Sequence, residues 1–160
     1  MSTSNIYNDV IDEIKTALTA DAWISANVGS GNIYTFEKKG MKGKYPAIEV
    51  FISDDSISFE GNVYWNHNFK IHVIPQVNIW DREKALKGDT SLIGIYELMK
   101  EVIECLSTRT NMKLDDKLHI NMPINVSVEG GEFEATEESD GAFLVWADIV
   151  FEGKLRRKID

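Results

Sequence analysis

The residue types able to do chemistry are few and scattered along this chain. Three histidines occur, His67, His72 and His119, and one cysteine, Cys105. His67 and His72 lie five apart in a stretch of alternating character, so a strand turns them to opposite faces and they cannot share a metal ion without a bulge. No cysteine pair, HExxH or similar ligand spacing accompanies them. A nucleophilic cysteine needs a cation or a helix N-terminus to lower its pKa. Cys105 falls near the C-terminal end of a helical pattern, where the dipole has the wrong sign, and reads as a small packing residue. Asp54-Asp55 and Asp115-Asp116 are the kind of carboxylate pairs that hold Mg²⁺ or cleave glycosides. Aspartate also favours turns, and loops are expected at both places. Gly29-Ser30-Gly31 lacks the Gly-Lys-Ser/Thr ending of a phosphate loop. The expectation is a non-enzymatic protein with no catalytic residue, cofactor or metal, acting through its surface.

Composition narrows the class further. A chain of 160 residues fits one domain and buries roughly 70% of the surface it exposes unfolded, so it needs no disulfide to hold a core. The formal charge of −9 opposes general nucleic-acid binding, which requires a basic face. The N-terminus, MSTSNIYNDVIDEIK, has no basic region followed by an apolar run, so no signal peptide is expected. No apolar stretch reaches the roughly 20 residues that span a bilayer. A cytoplasmic location follows as the expectation. Charge is unevenly placed: Glu129 to Asp140 is acidic, whereas Lys38 to Lys44 and Lys154 to Lys158 are basic.

The elements that must carry these groups follow from periodicity. Residues 4–20 form an amphipathic helix pattern, with Ile6, Val10, Ile11, Ile14, Ala17 and Leu18 on one face and Ser4 as N-cap. A packed connector through Trp23, Ile24 and Val28 leads to the Gly-Ser-Gly turn. Residues 37–45 read as an exposed lysine loop, and Pro46 opens a strand, AIEVFIS. Gly61-Asn62 turns the chain into a second strand, with Trp65, Phe69, Ile71 and Val73 on one face and Asn66, Asn68, Lys70 and His72 on the other. Pro75 ends that strand, and DREKALK has the length of one or two helical turns. A second helix spans 91–107, capped by Thr90 or Ser91. Leu118 to Val128 alternates as one strand, with Pro123 marking an edge or bulge. Gly130-Gly131 and Ser139-Asp140-Gly141 read as hairpin turns, and FLVWADIVFE as a strand apolar on both faces. The prediction is a single α+β domain over 1–153, an antiparallel or mixed sheet with two main helices packed on one face, followed by a short basic tail at 154–160.

That order of elements resembles the tail terminator, or tail completion, proteins of long-tailed bacteriophages and prophages. The resemblance rests on the helix IYNDVIDEIKTAL, the segment ending VGSGNIY, the lysine- and glycine-rich loop, YPAIEVFI, NFKIHVI, the helix IYELMKEVIECL and the close FLVWADIVFEG. It implies a homo-oligomer, commonly a hexameric ring. Such a ring caps the tail tube, stops its polymerisation and joins the tail to the head. The implied partners are further copies, the tail tube protein and head connector proteins, with no membrane and no specific nucleic acid. The implied location is the host cytoplasm during assembly and then the virion tail. Two other readings stand beside it: another head–tail connector or tail-associated protein, and a small-ligand-binding or enzymatic domain built on a pocket at His72 or Asp148.

Charge and exposure nominate the interface residues Lys38, Lys39, Lys42 and Lys44 in the loop and Glu132, Glu134, Glu137 and Glu138 in the acidic segment. Reversing the four loop charges is expected to weaken ring formation more at low salt than at high salt, read by sedimentation. Unchanged assembly at both would refute the electrostatic contact.

Overall fold

The computed structural model describes residues 5–35, 45–107, 118–132 and 143–158. The first helix, α1, spans Ile6–Ala20. Its N-cap is Asn5 rather than the expected Ser4, because the Asn5 side chain accepts from the amides of Tyr7 and Asn8. Ser4 itself lies outside the described residues. Val10, Ile14, Ala17 and Leu18 recur on one face and are buried. The connector after it contains a short helix, α2 (Ala22–Asn27), capped by the Asp21 carboxylate at the Ile24 amide. A 3₁₀ turn at Ser30–Asn32 and a two-residue strand, β1 (Ile33–Tyr34), complete it.

Two long strands follow, β2 (Ala47–Glu60) and β3 (Tyr64–Ile79), joined at Gly61, whose φ is 58°. The register shifts between Ile52 and Asp54, leaving Ser53 as the extra residue of a β-bulge. The bulge reverses which β2 positions face the helices: Val50 and Ile52 before it, Asp55 and Ile57 after it. Pro75 does not end β3. The pairing with β2 runs through Pro75, whereas the pairing with the strand on the other side skips Ile74 and Pro75. The missing amide is therefore accommodated by an interruption in one ladder alone.

DREKALK forms α3 (Arg82–Lys87), capped by Asp81. The second long helix, α4, covers Ile95–Ser107 and starts later than its pattern suggested. The Asp89 carboxylate accepts from the amides of Ser91 and Leu92, holding those residues in a turn before the helix begins. Beyond it come β4 (His119–Ile120), β5 (Asn125–Glu132) and β6 (Phe143–Lys158). The single alternating run at 118–128 is thus two strands, split around Pro123, and both pair with β6. The basic segment Lys154 to Lys158 is no tail: it is the last third of β6, paired with Tyr64 to Asn68 of β3.

The result is one α+β domain with a mixed six-stranded sheet ordered β1-β2-β3-β6, in which β4 and β5 share the far side of β6. Among the described residues, only β1 runs parallel to its neighbour. The core lies between one sheet face and the helices, where Ile14, Leu18, Leu98, Val102 and Leu106 meet Val50, Phe69, Ile71, Ile149 and Phe151. Each such fully buried side chain stabilises the fold by about 1.5–3 kcal/mol. Cys105 packs there, buried, with its thiol 3.5 Å from the Ala17 carbonyl.

Gly130 and Gly131 do not turn the chain. They continue β5 opposite Val145 and Leu144. Gly130 has φ 135°, and a Cβ there would stand 2.3 Å from the Leu144 carbonyl oxygen. Gly130→Ala is accordingly expected to cost about 1–3 kcal/mol of stability by combining backbone strain with a backbone clash. Chemical denaturation reads this, and a loss below measurement error would show that the ladder yields.

Candidate assembly surface and polar clusters

The sheet is longer than its helical cover. β3 and β6 each have 16 residues, which at strand rise is about 50 Å. α1 has 15 residues and α4 has 13, or about 20 Å each. Both uncovered regions lie on the helix side of the sheet, at opposite corners.

One corner is the tip of the β2–β3–β6 ribbon. Ile57, His67 and Leu155 form one cross-strand row, and Phe59, Trp65 and Arg157 the next. Phe59 is 65% exposed and Ile57 is 47% exposed. Phe59 meets Trp65 edge-on at 5.6 Å, and the Arg157 guanidinium lies 5.1 Å from the Trp65 ring. On the reverse side Arg156 sits 3.7 Å over Tyr64 and pairs with Glu60 at 3.1 Å. The other corner is β5. Val126 and Val128 pair with Ile149 and Ala147, both core residues, so their side chains continue the core face. Met122, Ile124, Val126 and Val128 are nevertheless all exposed.

Where the cover by α1 stops, a polar cluster closes the core. The Tyr7 hydroxyl donates to Asp55 Oδ2 at 2.9 Å, and His67 Nδ1 lies 2.8 Å from the same oxygen. With a carboxylate facing it, Nδ1 is the nitrogen that carries the proton. His67 stacks on Phe69 at 5.3 Å, and Tyr7 meets Phe69 edge-on. Asp55 and His67 are buried in the side chain, and Asp55 Oδ1 and His67 Nε2 find no hydrogen-bonding partner among the described residues. Asp54 and Asp55 are therefore not a loop pair: both lie in β2, on opposite faces, and only Asp55 joins the cluster.

A second network lies on the helix-free face. His72 Nδ1 is 2.8 Å from Asp148 Oδ1, His72 Nε2 is 2.6 Å from Ser53 Oγ, and Phe51 stacks on the imidazole at 4.5 Å. This is the connectivity of a nucleophile, base and orienting carboxylate. Ser53 occupies the bulge and is exposed on the sheet surface. An open groove of about 810 Å³ lies farther along the same face, over Ser56, Asn68, Lys154 and His119 and over Ser58, Asn66 and Arg156. None of the network residues lines it. Deeper on this face, Gln76 donates to the buried Glu49 carboxylate.

As expected from their spacing, His67 and His72 face opposite sides of β3. Separately, the described residues contain no group of three His, Cys, Asp or Glu placed to hold a metal ion. Lys38, Lys39, Lys42, Lys44, Asp115, Asp116, Glu134, Glu137 and Glu138 lie outside the described residues. Glu132 ends β5, opposite Phe143. The segment AIEVFIS stops at Ser53, whereas β2 runs on to Glu60, and the ribbon tip lies in that extension. The alternation of Ile57 and Phe59 is the signal for it in the sequence.

Tyr7 has its pKa raised above 10.0, first by the hydrogen bond to Asp55, then by burial and the Asp55 charge, with Arg157 opposing. A raised folded pKa contributes stability that is complete below the unfolded value and is lost as pH climbs through the folded one. Tyr7→Phe is expected to lower stability by about 1 kcal/mol at neutral pH, and the gap to wild type should close in the alkaline range. A gap that stays constant to strongly alkaline pH would show that the hydroxyl does not titrate against Asp55. The chain matches no protein-family model, and no curated protein matches it.

Proposed function

We propose that this chain is a non-catalytic virion assembly protein of the tail terminator kind. In this reading, copies form a ring that caps the tail tube, stops its growth and joins the tail to the head. The observation that supports it most is the pair of unlike apolar surfaces, the ribbon tip and the β5 stripe, at opposite corners of one sheet. Unlike surfaces on one molecule mate head to tail, and such contacts produce rings when the rotation closes. The order of helices and strands along the chain supports the same reading. No helix among the described residues is long and apolar enough to cross a membrane.

A second reading, a small-ligand-binding domain, draws on the groove over Ser56, Asn68 and Lys154. That groove is open along the sheet, whereas ligand sites enclose most of the ligand surface.

The test is imaging and sedimentation of the purified protein, alone and with isolated tail tubes. Closed rings, and tubes capped at one end that stop elongating, are the expected result. Strict monomers in both conditions, with tube growth unaffected, would sink the reading.

A further inference from the structure

We propose that Ser53 is a nucleophile that takes an acyl group from activated esters, through the Ser53–His72–Asp148 network on the helix-free face. The proposal goes beyond the assembly reading and does not depend on it. Asp148 Oδ1 lies 2.8 Å from His72 Nδ1, and a carboxylate facing that nitrogen places the imidazole proton on it. Nε2 is left with its lone pair, 2.6 Å from Ser53 Oγ, so the hydroxyl donates to it. That is the tautomer a general base needs. Phe51 stacks on the imidazole with 3° between the planes and holds the ring in line. The three groups come from three adjacent strands, β2, β3 and β6, so the ladder rather than a loop fixes their spacing. Ser53 is exposed, whereas the His72 side chain is only 16% exposed, so the nucleophile is open and its base is shielded.

The step follows from this geometry. Ser53 Oγ attacks the carbonyl carbon of the ester while His72 Nε2 takes the hydroxyl proton. The carbon–oxygen bond to the leaving group breaks, the proton passes from His72 to the departing oxygen, and the acyl group stays on Ser53 as an ester. None of the three residues lines the groove, and Ser53 stands on the open sheet surface. Esters with poor leaving groups need an enclosed site with donors for the developing oxyanion. The class that fits is therefore small esters of good leaving groups, such as phenyl esters. Ser53 is itself a poor leaving group, so hydrolysis of the acyl-serine is slow and the reaction is a stoichiometric transfer rather than turnover.

The probe is p-nitrophenyl acetate, read by nitrophenolate release and by peptide mapping in a mass spectrometer. Ser53 is expected to be acetylated faster than the other serines of the chain. Ser53→Ala should remove the fast phase and leave only the slow acylation of lysines. His72→Gln should slow labelling of Ser53 by about a hundredfold or more. Asp148 is a positioning residue, acting through His72. Asp148→Asn keeps its shape but favours the other tautomer, so labelling should fall at least about tenfold, and nitrogen NMR shifts of His72 should show the proton moved from Nδ1 to Nε2. Cooperative thermal unfolding checks that each variant is folded. If Ser53 is labelled no faster than the other serines, or if His72→Gln or Asp148→Asn labels at the wild-type rate, the proposal is overturned. Ring formation plays no part in this assay, so the two proposals fail separately.

Discussion

The difference in length between strand and helix governs this molecule. A strand advances more than twice as far per residue as a helix, and β3 and β6 are as long in residues as α1. A helical layer of that size covers the middle of the sheet and leaves its extremities bare. Apolar residues on the covered part become the core. Residues of the same alternation on the bare part, Ile57, Phe59, Val126 and Val128, become surface. One hydrophobic pattern therefore serves two ends, and helical cover alone decides which.

Much of the fold was legible for that reason. The stripes of α1 and α4 and the alternation of β3 mark a buried face directly, and they identified both long helices and the central strand. What periodicity does not carry is where an element stops. Pro75 is a breaker by composition, yet the β6 ladder skips it and β3 continues. Gly130 reads as a turn, yet its positive φ serves a close approach to Leu144 within a ladder. The basic run at 154–158 has no apolar alternation beyond Leu155, so only its pairing partner in β3 marks it as strand. The candidate site was less legible still. The nominated lysines and glutamates were chosen by charge, whereas the tip and stripe depend on which apolar rows the helices fail to reach.

The polar clusters obey the same geometry. Asp55 faces the helix side only because Ser53 is inserted ahead of it; without the bulge that parity would place it with Lys70 on the other face. There it meets Tyr7, the first aromatic of α1, and His67, the last buried row of β3 before the ribbon emerges. The cluster is a border between core and bare sheet. Burial of two unpartnered polar atoms costs about 1–3 kcal/mol each, and the shared carboxylate oxygen with its two donors offsets part of that. The His72 network is on the opposite face, where Ser53, displaced by the same bulge, comes within reach of the imidazole. One inserted residue thus positions both networks.

The assembly proposed above, by unlike surfaces, meets a difficulty on which net charge bears. Any molecule with two mutually attractive patches is exposed to open-ended polymerisation and to random sticking through its bare apolar rows. Each copy carries a formal charge of −9, so two copies repel at long range whatever their orientation. At physiological salt that repulsion fades beyond about 8 Å, and local charge takes over at contact. Two runs, Lys38 to Lys44 and Lys154 to Lys158, reverse the sign locally. An apolar contact beside a basic run gains attraction from an acidic partner surface, while one between two acidic surfaces does not. Net repulsion with local attraction narrows the geometries that exposed hydrophobic residues would otherwise allow.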